Sequence, residues 1–195
     1  MGWPYFSLTK QEARKAFRLP QSATLVLLSF GGLGLERLPW SNLKQLGDFF
    51  FVTTGETKQE TNNLRVLPEA QRNYEDLVRA VDVVVTKPGY GIVADVISHQ
   101  VRTLYTERGE FAEYPHLTRA LDECATAEFI PQDQLLSGNL APYLTRLLNK
   151  KKAGPPCPRR CSNSGSEDFG VDQSLNAYHK VWVSSIDRPA SIYQT

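Results

Sequence analysis

Charge of either sign in excess is missing: 22 Lys and Arg against 21 Asp and Glu leave a formal net charge of +1. That balance offers no electrostatic footprint for a nucleic-acid or membrane-surface partner. No apolar run approaches the roughly 20 residues of a membrane span. The N-terminus lacks a signal-peptide pattern, and Met1-Gly2 is followed by Phe6 where a myristoylation signal wants Ser or Thr. Cysteine is scarce, with three in the chain. Cys124 falls on an amphipathic helical pattern and is expected to be a small core residue. Cys157 and Cys161 sit in a Pro- and Arg-rich segment without a second Cys or His pair at ligand spacing, so no zinc site is expected. The odd count and the absent secretory pattern point to a reducing compartment, read as the cytoplasm. Histidine is as rare: His99, His116 and His179 each read more readily as surface or packing residues than as catalysts.

What is present is enough for one sizeable core. At 195 residues, with 41% hydrophobic and 22% charged content, the chain has the composition of a soluble globular domain with an appendage. Thr9 or Ser7 caps a short helix to about Leu19, with Glu12 placed for a capping box and Pro20 ending it. Residues 24–30 (TLVLLSF) read as a buried strand, 41–46 as a short helix, 49–53 as a second strand and 64–67 as a third. A helix over 73–81 follows, with Tyr74, Leu77, Val78 and Val81 on one side. Residues 102–106 form another strand, 115–126 a helix with Leu117, Ala120, Leu121 and Cys124 inward, 129–130 an edge strand, and 133–149 a final helical region. Strands alternating with helices at this spacing imply an α/β fold, a Rossmann-like parallel sheet with helices on both faces. From Lys150 the texture changes to a Lys, Pro, Gly and Ser-rich stretch. The expected division is a domain over 1–150 and a linker or poorly ordered tail over 151–195.

The most informative stretch is VDVVVTKPGYGIVADVISH, residues 81–99. A β-branched run through Val83, Val84, Val85 and Thr86 is the signature of a strand buried on both faces. Pro88, Gly89 and Gly91 are expected to make a tight turn. From Ile92 the apolar residues Ile92, Val93, Val96 and Ile97 recur at helical spacing, with Asp95 on another face. A strand, a glycine turn and a helix aim backbone N–H groups at an anion, and Lys87 beside the turn adds positive charge. Asp95, six residues after Gly89, lies about 9 Å along the helix axis. That is near the span from a diphosphate to the ribose of one nucleotide, whose hydroxyls a carboxylate accepts. A second glycine run, Gly31, Gly32 and Gly34, directly follows the first strand. Ligands in parallel sheets bind at the carboxyl ends of strands, so both runs are expected to line one cleft.

These segments carry a resemblance. LLSFGGLGL at 27–35, NYEDLVRAVDVVVTKPGYGIVAD at 73–95 and YTERGEFAEYP at 105–115 together resemble the donor-binding C-terminal half of GT-B glycosyltransferases. The type is the family 28 C-terminal domain, and the likeness is closer still to the glycosyltransferase-like domain of L-arabinokinase-type proteins and bacterial predicted glycosyltransferases. It covers about residues 10–149. The resemblance implies that Gly31, Gly32, Gly34, Lys87, Gly89, Tyr90 and Gly91 bind the diphosphate of a nucleotide-sugar donor, with a UDP-sugar favoured. It implies that Asp95, where the family usually has Glu, binds the ribose, and that Leu67 and Pro68 border the nucleobase. Arg108, Glu113 and Tyr114 would meet the donor sugar. Ile92 stands where the family often has Thr, which removes a polar contact. No metal or other cofactor is expected, Lys87 and Arg108 serving as the cations. The chain matches only the second half of such an enzyme. An N-terminal half on another chain would have to complete the site, and no catalytic base is assigned.

Two rival functions belong beside this one. Gly32-x-Gly34 begins a dinucleotide fingerprint, with Glu56 at a suitable distance, as in an oxidoreductase domain. Arg37, however, replaces the third glycine, and Pro39 disrupts the helix that should follow. The other rival is a non-catalytic nucleotide-binding or regulatory remnant.

Overall fold

The computed structural model describes residues 8–30, 38–55, 61–68 and 74–153. The glycine run 31–34, Glu56 and the tail from residue 154 lie outside the described residues. Within them the chain runs α1 (Lys10–Ala16), β1 (Thr24–Ser29), α2 (Trp40–Leu43), β2 (Phe49–Thr54), β3 (Leu64–Leu67), α3 (Tyr74–Ala80), β4 (Val83–Thr86), α4 (Tyr90–Ser98), β5 (Arg102–Tyr105), α5 (Tyr114–Cys124), β6 (Ala127–Phe129), α6 (Gln132–Ser137) and α7 (Ala141–Asn149). All six strands join one sheet in the order β3-β2-β1-β4-β5-β6, and every pairing is parallel.

Period-two alternation divides the strands between two cores. Val26 and Leu28 of β1, Phe49 and Phe51 of β2, Val83 and Val85 of β4 and Leu104 of β5 share a cluster with Trp40 and Leu43 of α2, Leu135 of α6, and Leu144 and Leu147 of α7. The alternate residues Leu25, Leu27, Val52 and Val84 are equally buried. They face the other side, where α1 packs on α3, α3 on α4 and α4 on α5. Those helices contribute the buried Ala13, Leu77, Val78, Val93, Val96, Leu117 and Leu121. Each such Val or Leu contributes about 1.5–3 kcal/mol of transfer free energy.

Helix α1 shows how local signals and distant contacts combine. The Thr9 hydroxyl accepts from the Glu12 N–H, and the Glu12 carboxylate accepts from the Thr9 N–H, completing the expected capping box. One turn on, the buried Arg14 reaches under the sheet. It donates to the Ala80 carbonyl at 2.8 Å and to Asp82 at 2.7 Å. Asp82 also accepts from Lys10 and from the Leu25 N–H. The helix is thereby fastened to the leading ends of β1 and β4.

Three expectations are corrected. The glycine stretch after β4 is no tight turn: Gly89 is the extended N-cap of α4, with φ −144° and ψ 161°, so the helix starts at Tyr90 rather than Ile92. The helical region after β6 is two helices, because Gly138 adopts a left-handed φ of 83° that closes α6. Cys124 is buried at the end of α5, as a core side chain should be. It is also disulfide-bonded, so it is not the simple core thiol expected; Cys157 and Cys161 lie outside the described residues.

Candidate functional site

The strand order reverses direction between β1 and β4, the position at which open parallel sheets form a crevice beyond their carboxyl ends. Ser29 and Thr86 end those strands as register partners. The Thr86 hydroxyl donates to the Ser29 carbonyl at 2.7 Å, closing the floor between them. Above it opens a cleft of about 340 Å³ lined by Ser29, Phe30, Thr86, Lys87, Gly89, Tyr90, Gly91, Ile92 and Arg108. Phe30 and Lys87 are the residues leaving the two strands, so β1 and β4 end together at this edge of the sheet.

The N-terminus of α4 points into this cleft. No side chain caps it, which leaves the first-turn N–H groups and the positive end of the helix dipole for an incoming anion. Two cations flank it. The Lys87 ammonium makes no hydrogen bond or ion pair with the described residues. Arg108 comes from the loop after β5, donates to the Pro88 carbonyl at 2.6 Å, and stacks its guanidinium 4.2 Å from the centre of the Phe111 ring. Among the described residues neither has a carboxylate partner, so their charge is uncompensated. At Gly89 the constraint is closeness to the Arg108 side chain rather than backbone strain. A Cβ there would stand 2.6 Å from Arg108 Nη1, whereas one on Gly91 would meet nothing within 4 Å.

A second polar group adjoins the cleft from α3. The Tyr74 hydroxyl and Ser29 Oγ share a hydrogen bond of 2.6 Å. Burial pushes the Tyr74 phenol up, and Asp95 adds to the rise. Asp95 itself is partly buried on α4. Burial first, then the Glu75 carboxylate, raises its carboxyl to about 7.

Of the residues singled out by sequence, Lys87, Gly89, Tyr90, Gly91 and Arg108 therefore meet in one cleft. Gly31, Gly32 and Gly34 lie outside the described residues. Asp95 stands one turn from the cleft lining, beside Tyr74. Leu67 is buried at the end of β3, where its carbonyl accepts from the Gly55 N–H, and Pro68 follows it exposed; neither lines the cleft. Glu113 is the N-cap of α5 and Tyr114 its first residue, and neither of them reaches the lining either. His116 is exposed on α5, and burial, followed by Arg79, lowers His99 below its ordinary value. Sequence reasoning passed over Ser29, Thr86 and Tyr74 as site residues. The signal for the first two was a polar residue ending an otherwise apolar strand. Tyr74 carried none.

A larger hollow of about 580 Å³ lies at the opposite end of the sheet, bounded by Ala23, Lys44, Asp48, Phe49, Thr61 and Asn63 among others. It sits at the amino ends of β1, β2 and β3, away from the edge at which such sheets bind ligands.

The fold is similar to several solved glycosyltransferases. MurG of Acinetobacter baumannii matches at a TM-score of 0.54 with 17% identity, over 74% of this chain and 46% of that one. The glycotransferase of kitacinnamycin matches at 0.56 with 16% identity, over 97% and 48%. VinC, solved in complex with dTDP, matches at 0.55 with 19% identity, over 69% and 36%. The neighbours are GT-B glycosyltransferases, and the sheet described here is the α/β Rossmann-like fold of one half of such a molecule. Among curated proteins, L-arabinokinase of Arabidopsis thaliana is 29% identical over 163 residues, covering 80% of this chain. The chain spans 15% of that protein's length. No protein-family model matches the chain.

Proposed function

We propose that this chain is the nucleotide-sugar-binding half of a glycosyltransferase. It takes a UDP-sugar as donor and transfers a hexosyl group once an N-terminal half completes the site. The observation that carries this reading is the meeting, at the β1/β4 switch point, of an uncapped helix N-terminus with two uncompensated cations, Lys87 and Arg108. Breaking the bond between the sugar's anomeric carbon and the diphosphate oxygen leaves the electron pair, and the negative charge, on the diphosphate. Fixed N–H dipoles and cations facing that oxygen stabilise the charge as it develops. In this reading Tyr90, Gly91 and Ile92 offer backbone N–H groups to the phosphates, Lys87 and Arg108 supply the charge in place of a metal, and Asp95 accepts from the ribose. Gly31, Gly32 and Gly34 bind the diphosphate as well, Leu67 and Pro68 border the base, and Glu113 and Tyr114 face the sugar in the completed enzyme. Residues 1–150 make up the binding domain and 151–195 a tail. A cytoplasmic location belongs to the same reading; the odd cysteine count supports it and the Cys124 disulfide counts against it.

A non-catalytic nucleotide-binding role is the second reading. It is favoured by the absence of any His, Asp or Glu side chain from the cleft lining among the described residues. An oxidoreductase gains less. Arg37 stands where the dinucleotide fingerprint needs its third glycine. Calorimetric titration with UDP, UDP-sugars and NAD(P) is the test. Micromolar UDP binding without turnover is expected of the chain alone. Preference for NAD(P) overturns the proposal, and turnover of a UDP-sugar without a second chain overturns the need for another half.

A further inference from the structure

The chain that leaves α7 returns along the edge strand of the sheet, and its contacts with β6 step backwards. Arg146 Nε donates to the Glu128 carboxylate at 2.7 Å, Lys150 Nζ to the Ala127 carbonyl at 2.7 Å, and the Ala153 N–H to Thr126 Oγ1 at 2.7 Å. Lys150 also lies 3.4 Å from the second Glu128 oxygen. As the residue numbers rise from 146 to 153, those of their partners fall from 128 to 126. Cys124 comes next on this path, as the last residue of α5. It is 7% exposed and disulfide-bonded. The other cysteines of the sequence are Cys157 and Cys161, so a bond within the chain takes one of them.

We propose that Cys124 is joined to Cys157, making residues 153–157 a redox-sensitive strap across the amino edge of β6. Disulfide partners have Cα atoms about 4.4–6.8 Å apart. Pro155, Pro156 and Pro158 favour an extended segment of about 3.1 Å per residue. Four residues beyond Ala153 therefore carry the chain about 12 Å, enough to pass from Thr126 back to Cys124. Eight residues carry it about 25 Å, beyond that point, which leaves Cys161 as the free thiol. Exchange with glutathione disulfide forms the bond: the two cysteine sulfurs join, the two glutathione sulfurs part, and both thiol protons end on glutathione. A dithiol reductant reverses the exchange and is itself oxidised to a disulfide. The strap is closed where disulfides persist and open where thiols are kept reduced. Because the amino edge lies opposite the cleft, the inference stands independently of the nucleotide reading.

Trypsin separates the three cysteines, since it cuts after Arg119, Arg146, Lys152, Arg159 and Arg160. The full chain is purified without reductant and its free thiols are blocked with iodoacetamide. Mass spectrometry should then find residues 120–146 linked to residues 153–159, and residues 161–180 carrying alkylated Cys161. Dithiothreitol should release the linked pair and lower the melting temperature by about 5–10 °C, because an open loop of this length frees the unfolded chain. Cys157→Ser should melt at the reduced value with or without dithiothreitol, whereas Cys161→Ser should behave as the wild type. Cys124 found alkylated, or linked to residues 161–180 or to a second copy of residues 120–146, overturns the pairing. A melting temperature that dithiothreitol leaves unchanged overturns the strap.

Discussion

Arg108 Nη1 stands 2.6 Å from the point where a side-chain carbon on Gly89 would sit. The two residues are 19 positions apart in the chain, on the loop after β5 and the N-cap of α4. The guanidinium is held there by the Pro88 carbonyl and the Phe111 ring. A positive charge is thus fixed at the mouth of a helix whose own N–H groups point the same way.

Gly89→Ala should disturb this arrangement without unfolding the protein. The atom in the way is the far end of a flexible side chain, so Arg108 moves and the backbone does not. Replacing Gly with Ala at an N-cap costs about 0.5–1 kcal/mol. UDP affinity should fall about three- to tenfold, measured by calorimetry, with a melting temperature lowered by only a few degrees. Unchanged affinity would mean that the Arg108 position is irrelevant to binding.

Lys87→Ala and Arg108→Ala should each weaken UDP binding about tenfold, equivalent to about 1.4 kcal/mol, and flatten its dependence on salt. Neither charge has a carboxylate partner among the described residues, so removal leaves no orphaned anion and thermal stability should hardly change. Wild-type affinity in Lys87→Ala would reduce that residue to a solvated charge.

Binding of UDP to the chain should be the same in excess EDTA as in added Mg²⁺, since the two cations are proposed to supply the charge. Calorimetry in the two buffers checks this. An affinity that collapses on chelation would assign the diphosphate to a metal instead.

Asp82→Asn should destabilise the fold by about 2–4 kcal/mol at pH 7, because it leaves the buried Arg14 guanidinium without its counter-charge. Burial works to raise the Asp82 carboxyl, yet the hydrogen bonds from Lys10 and Leu25, with the charges of Lys10 and Arg14, outweigh it and hold the group below 3.8. A lowered folded value means stability present above pH 3.8 and lost as pH falls through the folded value. Urea unfolding at pH 7 and pH 3 should therefore show the wild type converging on the variant in acid.

Asp95 has the reverse sign. Its carboxyl is raised from 3.8 to about 7, so the stabilisation by its proton is full below pH 3.8 and lost as pH rises through about 7. Asp95→Asn should be more stable than the wild type at pH 8, by about 1–2 kcal/mol once solvent screening is allowed for. The difference should disappear near pH 4. Denaturant melts at both pH values decide it.

Much of this molecule was legible before folding. The run from Val83 to Thr86 can be little other than a strand buried on both sides, and Thr9 with Glu12 announces the start of α1, because such preferences are settled between neighbouring residues. The same locality explains the errors. Gly89 and Gly91 look like a turn when read alone, yet here one caps a helix and the other enters it. Gly138 is one glycine in a helical pattern until its left-handed backbone ends α6. Contacts between distant residues belong to the tertiary structure: β1 beside β4, Arg14 under Asp82, Tyr74 against Ser29, and Arg108 over Gly89. None is encoded by spacing, since each depends on which strands pair and which helices share a face. The environment of Asp95 is of the same kind. Its place on the helix follows from periodicity, but its proton affinity follows from the water that the packing of α3 excludes.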